Sequence, residues 1–172
     1  MVAIIQILAA YILADAISGL YHWATDRGYS IGQQVNLFQE HHVKNTMTDF
    51  DWQTFAAGMP AMIIGGWLHS PFLTALGFFG AMTQCTHYYA HRRSGNPIIF
   101  HTVRLLQEMR IIVHPARHQK HHLAENFDRD FCLLSGWNNV WLNPLVAGIE
   151  HFTRRRGGAE PEESLRAPRA SA

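Results

Sequence analysis

The run from Val2 to Ala24 constrains this chain most: it is apolar except for Gln6, Asp15, Ser18 and His22. Its length matches the ~20 residues that a helix needs to cross a bilayer. A segment apolar on every side must be buried in a large core or lie in lipid. It lacks the charged start and small-residue cleavage site of a secretory signal, so it reads as a retained anchor. Asp15 is out of place in it, because a carboxylate at that depth is costly and normally faces a functional interior. A second apolar stretch, residues 55–91, is too long for one span and breaks at His69-Ser70-Pro71. Proline there ends one helix and suits the first turn of the next. The pattern predicts a tight helical hairpin with arms of roughly 15 to 20 residues, just enough to cross the hydrocarbon. Gly58, Gly65, Gly66, Gly77 and Gly80 in these arms allow close helix contact where lipid offers no hydrophobic drive.

The remaining segments are more polar. Residues 27–54 read as a loop followed by a short helix over Asn36–His42. Residues 98–113 mix apolar side chains with Arg104, Gln107, Glu108 and Arg110, the pattern of an amphipathic helix that is buried or interfacial. Residues 131–149, with Trp137 and Trp141, read as a membrane-surface helix or a poor span. Beyond Arg154-Arg155-Arg156 the composition is that of a disordered tail. The expected organisation is one membrane domain over residues 1–152 and a basic tail over 153–172. Charged residues make up only 16% of the 172, against about 25% in soluble domains, while mean hydropathy is −0.08. That mixture suits a chain half in the bilayer and half on its surface. A net charge of +1 gives no field for nucleic acid. Cys85 and Cys132 form no CxxC pair and read as buried free thiols.

Histidine is the unusual component, with 12 in the chain. Arg27, Lys44, Arg92, Arg93, Arg117, Lys120 and Arg154 to Arg156 fall on one predicted side, which the positive-inside rule makes cytoplasmic. His22, the His41-His42 pair, His87 with His91, and His118 with His121-His122 all fall at that same face. His87 and His91 are four apart and share a helix face. His118, His121 and His122 offer three nitrogens within one helical turn. Adjacent His41 and His42 diverge by about 100° in a helix and so reach two metals, or one metal and a substrate. Eight imidazoles exceed one coordination sphere, since zinc sites are almost always four-coordinate. Two metal ions are the simplest account, and imidazole suits iron, zinc, copper and nickel alike. His69 at the hairpin tip, His101 and His151 fall outside the pattern. His114 stands open as a ligand or an orienting group. Asp15, Asp26 and Asp49 are candidates to orient the imidazoles through their second ring nitrogen. Trp23, Phe38, Tyr88, Tyr89 and Phe131 read as core or interface aromatics, with walls of a lipid channel as the alternative.

The stretches Asp15-x2-Ser18-Gly19-x2-His22-Trp23, Glu40-His41-His42, Thr86-His87-x3-His91, His118-x2-His121-His122, and Phe131-Cys132 running to Gly136-Trp137-x-Asn139 span nearly the whole ordered chain. In them the chain resembles the CarF-type lipid desaturases, the plasmanylethanolamine desaturase-like branch of the membrane histidine-box di-iron enzymes. The resemblance implies an all-α, integral-membrane helical bundle with a histidine-rich metal site at its cytoplasmic face, most simply in a bacterial inner membrane. It implies two non-haem iron ions, dioxygen, and a double bond inserted into an alkyl ether or acyl phospholipid chain. Neither a GxGxxG nor a CxxCH motif is present, so electrons are expected from an external carrier, a ferredoxin or a cytochrome b5-like protein. A lipid hydroxylase on the same di-iron site is the nearest alternative. A membrane zinc hydrolase is more distant and would normally carry a HExxH-like glutamate, which is absent. A haem carrier would place histidines at both membrane depths.

Overall fold

The computed structural model describes residues 1–28, 41–42, 50–92, 94–124 and 127–157, and these contain helices and irregular segments but no strand. The helices are α1 (Val2–Asp26), α2 (Trp52–Ala56), α3 (Met59–Trp67), α4 (Pro71–His91), α5 (Pro97–Glu108), α6 (Pro115–Leu123) and α7 (Asn139–Gly157). His41 and His42 are also helical. The expected helix over Asn36–His42 otherwise lies outside the described residues, as do Phe38, Glu40, Lys44, Asp49, Arg93 and the tail from residue 158.

At 25 residues, α1 is about 37 Å long, enough to cross about 30 Å of hydrocarbon. Among the described residues it is the one helix both long and apolar enough to do so. Its inner stripe, Ala10, Ala14, Asp15, Ser18, Gly19, His22 and Thr25, is buried, while Ile4, Ile5, Leu8 and Leu13 are exposed. A surface helix in water shows the opposite polarity.

The hairpin breaks where proline predicts. Ser70 caps α4 by accepting from the Leu73 N–H at 3.3 Å, and Pro71 occupies the first turn. Its arms differ from the expectation. The first is split into α2, capped by the Asp51 carboxylate on Gln53 and Thr54, and α3, which enters through Pro60. The second, α4, has 21 residues but carries Thr83, Gln84, Thr86, His87 and His91, so it is not apolar enough to count as a span. The arms cross closely at Gly58 and Gly77. A Cβ on Gly58 would sit 2.4 Å from the Gly77 carbonyl, and one on Gly77 would sit 2.3 Å from the Met62 nitrogen.

Two further expectations are corrected. The amphipathic helix α5, capped by Asn96, stops at Glu108 instead of running to 113, and Arg110 turns the chain with φ 60°. Residues 131–138 form no helix; they cross the interior as irregular backbone, with 131–136 and 138 buried. Side chains and one neighbouring strand-like contact replace the missing helical bonds. Cys132 N–H donates to Asn139 Oδ1 at 3.0 Å, Leu133 N–H to Ser18 Oγ at 3.1 Å, and Leu134 C=O accepts from Val113 N–H at 2.7 Å. Thr86 donates to the Leu133 carbonyl. Asp15 accepts from Ser135 N–H at 2.7 Å, Gly136 N–H at 3.0 Å, and Asn138 N–H and Nδ2 at 3.1 and 2.9 Å. Gly136 turns here with φ 78°, a backbone that glycine adopts freely. α7 then continues to Gly157, so residues 153–157, assigned to the tail from sequence, are helical. It is tied to α1 by Glu150, which accepts from Arg27 Nε at 2.7 Å and Trp23 Nε1 at 2.9 Å.

Asp15→Ala would strip acceptors from four buried donors, each costing about 1–3 kcal/mol when left unmade. We expect it to lower the thermal midpoint of the detergent-purified chain far more than Asp51→Ala, which removes a half-buried helix cap worth about 1 kcal/mol.

Candidate metal centre

Four chain segments converge at the ends of α1 and α4. His22 and Asp26 come from the last turn of α1, His87 and His91 from that of α4, and His118, His121 and His122 from α6; His41 and His42 complete the group. The eight imidazoles pack ring on ring, with centroids 4.4 Å apart for His22 and His121, 4.8 Å for His41 and His87, and 4.7 Å for His118 and His122. Their ligand atoms fall into sets lying within 4.8 Å of one another: His41, His87, His91 and His118; His22, Asp26, His42 and His121; and His41, His42 and His122. The neighbours His41 and His42 are thus divided between the two four-membered sets, and His122 lies beside both.

The protonation state follows from the partners. His121 Nδ1 is 2.7 Å from the Arg129 carbonyl and His22 Nδ1 is 3.0 Å from the Phe131 carbonyl. A carbonyl can only accept, so each Nδ1 carries the proton and each Nε2 the lone pair. Both Nε2 atoms are turned toward Asp26, at 3.4 and 3.6 Å. These separations are too long for hydrogen bonds, and neither Asp26 oxygen has a hydrogen-bond partner, although the side chain is fully buried. Ligands about 2.1 Å from a common ion are themselves about 3.0–3.4 Å apart, close to what is seen.

His118 Nε2 approaches His91 Nε2 at 2.8 Å and His122 Nε2 at 3.0 Å, and His42 Nε2 approaches the lone pair of His121 at 2.9 Å. An imidazole nitrogen carries one hydrogen or one lone pair, so His118 Nε2 cannot satisfy both neighbours. Crowding neutral nitrogens in this way is unfavourable unless a cation sits among them. Burial, reinforced by the neighbouring histidines, keeps the rings uncharged: it lowers the His121 pKa to about 4 and that of His122 to about 2, and moves His118 and His42 the same way. Neutral imidazole is the form that binds metal. The donor set of imidazoles and one carboxylate, with no thiolate in it, fits iron well.

Other candidates are used differently. Asp15 is outside the ligand sets; its carboxylate accepts from the amides of residues 135–138. Asp26 stands among the ligand atoms instead of behind them. His114 is the N-cap of α6: its Nδ1 accepts from Ala116 N–H at 3.1 Å and its Nε2–H faces Glu108 at 3.3 Å, which turns the ring away from the cluster. His69, His101 and His151 are exposed and lie outside it. Asp49 lies outside the described residues. Cys132 is buried as expected, whereas Cys85 is only half-buried. Sequence reasoning missed the two orienting carbonyls, which no side chain signals, and Phe127, whose ring stacks on His42 at 4.2 Å and 11° while its backbone holds φ 50°. A non-glycine residue in that conformation bears some strain, here placed at a ring that screens the histidines from one side.

These features define a buried cluster of histidine and carboxylate groups, able to hold metal, in a helical scaffold. Residues 11–164 match the lipid desaturase domain family, and the chain belongs to it. It is 31% identical over 151 residues to fatty acid desaturase 4, chloroplastic, of Arabidopsis thaliana, covering 77% of this chain and 45% of that one. Plasmanylethanolamine desaturase of Myxococcus xanthus is 29% identical over 167 residues, covering 85% and 56%, and plasmanylethanolamine desaturase 1 of Mus musculus is 26% identical over 168 residues, covering 83% and 60%. The chain spans about half the length of the curated relatives it matches. No solved structure matches it.

The lowered histidine pKa values set a direction for stability. Below pH 6.5 the unfolded chain takes up protons that the folded, metal-free chain refuses until its much lower pKa values are reached. The histidine contribution to stability is therefore full above about pH 7 and falls as pH drops through 6.5 toward 4. Thermal unfolding of metal-stripped protein should give a lower midpoint at pH 5 than at pH 7.5, and His121→Gln should flatten that slope.

Proposed function

We propose that this chain is an oxygen-dependent lipid desaturase, seated in a membrane by α1, with the histidine cluster holding two non-haem iron ions. The observation that carries the reading is the convergence of eight histidines and Asp26 into two adjacent ligand sets. Membership of the lipid desaturase domain family and relatives named as desaturases support the reaction class. The whole change is balanced: two hydrogens leave a –CH2–CH2– unit, and dioxygen with two electrons and two protons becomes two waters. Removing hydrogen from an unactivated carbon needs an oxidant that no side chain supplies, and a bound di-iron centre would supply it.

The chain's own residues hold and shield that centre. His41, His87, His91 and His118 would ligate one ion, and His22, Asp26, His42 and His121 the other, with His122 beside both. Backbone carbonyls of Arg129 and Phe131 fix two of the rings so that Nε2 faces inward. Phe131, fully buried against His22 and His121, and Phe127 above His42 keep water from one side of the cluster. Electrons come from an external ferredoxin or cytochrome b5-like carrier, and Arg92 and Arg117 near the cluster offer an acidic partner a docking charge. Positive charge on the histidine side favours a centre at the cytoplasmic face of that membrane.

Lipids extracted from cells expressing the chain should contain a species lighter than its precursor by two hydrogens. A species gaining one oxygen would instead mark a hydroxylase. His87→Ala and His121→Ala should each abolish the product, while His69→Ala should retain it. Equal loss at His69 would contradict the assignment.

A further inference from the structure

A groove of about 730 Å³ runs between α1, the α2–α3 arm and α4. Close-packed interiors leave few voids larger than a water molecule, whereas ligand sites occupy about 300–1,000 Å³. The groove is therefore far too large for a packing defect and of the size of a binding site. Its walls are mostly alanine, glycine and aliphatic side chains. Its polar side chains are Ser18, part-way along α1, Gln53 and Thr54 on α2, and Tyr21, Thr25 and Thr83 at the end toward the histidines. Thr25 is three residues after His22, and Thr83 four before His87, so this end lies about one helical turn from both candidate ligands. The other end, at Ala14, Ala61 and Leu76, is apolar; along α1 the groove extends about 16 Å from Thr25 to Ala14. Half-exposed Ile17 and Tyr21 stand at its edge, so it opens sideways beside the apolar outer face of α1, where a lipid would arrive. Of the aromatics considered from sequence as channel walls, Trp23, Tyr88, Tyr89 and Phe131 do not line it, and Phe38 lies outside the described residues.

We propose that this groove seats one hydrocarbon chain of a membrane lipid, with the methyl end toward Ala14, Ala61 and Leu76 and the polar end beside the histidine cluster. The ligand's identity as substrate rests on the function proposed above; its chemistry, a single unbranched apolar chain, rests on the groove. Gly80 sets the bore. A Cβ there meets nothing closer than 3.8 Å, unlike Gly58 and Gly77, where the backbone of the opposite helix fills the space. A larger side chain at Gly80 would thus fill the groove without parting α3 from α4.

The test reads occupancy, not turnover. The purified chain is reconstituted in phosphatidylcholine vesicles doped with phosphatidylcholine carrying a diazirine at the acyl terminus, irradiated, digested and mapped by mass spectrometry. Adducts are expected at Ala14, Ala61 and Leu76 as well as on the exposed residues Ile5 and Leu8. Gly80→Leu should cut the groove adducts about tenfold or more, the cost of overfilling an apolar pocket, and leave those on Ile5 and Leu8 unchanged. Ala61→Leu, from the facing wall, should do the same and guards against misfolding of the first variant. Adducts confined to Ile5 and Leu8 in the unaltered chain would overturn the proposal, the groove then being filled by the chain's own residues. So would groove adducts that neither variant reduces. Lipid product measured on the same preparations separates the two ideas. Groove adducts without product keep the chain site and remove the reaction; product without groove adducts does the reverse.

Discussion

Buried irregular backbone needs partners for its polar groups, and around residues 131–138 side chains on other elements supply many of them. An unmade buried hydrogen bond costs about 1–3 kcal/mol, so a whole segment without helical pairing survives only if side chains replace the pairing. Asp15, Ser18, Thr86 and Asn139 do this from three helices at once. The same segment then gives back a carbonyl, that of Phe131, to His22, and the residues leading into it give that of Arg129 to His121. One constraint thus locks α1, α4 and α7 together and fixes the tautomer of an imidazole in α1 and another in α6. Asp15, buried mid-helix at 0% exposure, is the pivot.

The cluster that results is unfavourable on its own. Nitrogens of neutral rings approach within 3 Å where one hydrogen must serve two contacts, and Asp26 is buried without a hydrogen bond. Burying such groups without partners costs free energy that packing alone does not offset. A bound cation offsets it, and binding free energy of this kind becomes folding free energy. The proposed pair of cations rests on the two adjacent ligand sets beside His122, and imidazole with carboxylate donors suits iron.

Much of this was legible in the chain itself. The 3- and 4-residue histidine spacings placed five rings on helix faces, and the positive-charge pattern put all eight at one end. The hairpin break at Ser70-Pro71 was equally plain, because caps and prolines are local signals. What escaped depended on distant partners. Residues 131–138 look helical by composition, and only the side chains waiting on other helices make irregular backbone affordable there. Asp15 is seven residues before His22 and so shares its face, yet the amides of residues 135–138 claim it. His114 precedes a proline and becomes a cap. The orienting carbonyls of Arg129 and Phe131 leave no trace in side-chain identity. The groove, too, arises from how α1 meets the hairpin, and glycine and alanine lining it look the same in sequence as glycine and alanine that merely pack.

The central claim is that the histidine cluster exists to hold two iron ions. Elemental analysis of the detergent-purified chain, after anaerobic loading with ferrous iron and removal of loosely held metal, tests it most directly. The account predicts about two irons per chain, falling together when His121 or Asp26 is removed. One tightly held zinc, or no retained metal, would contradict it.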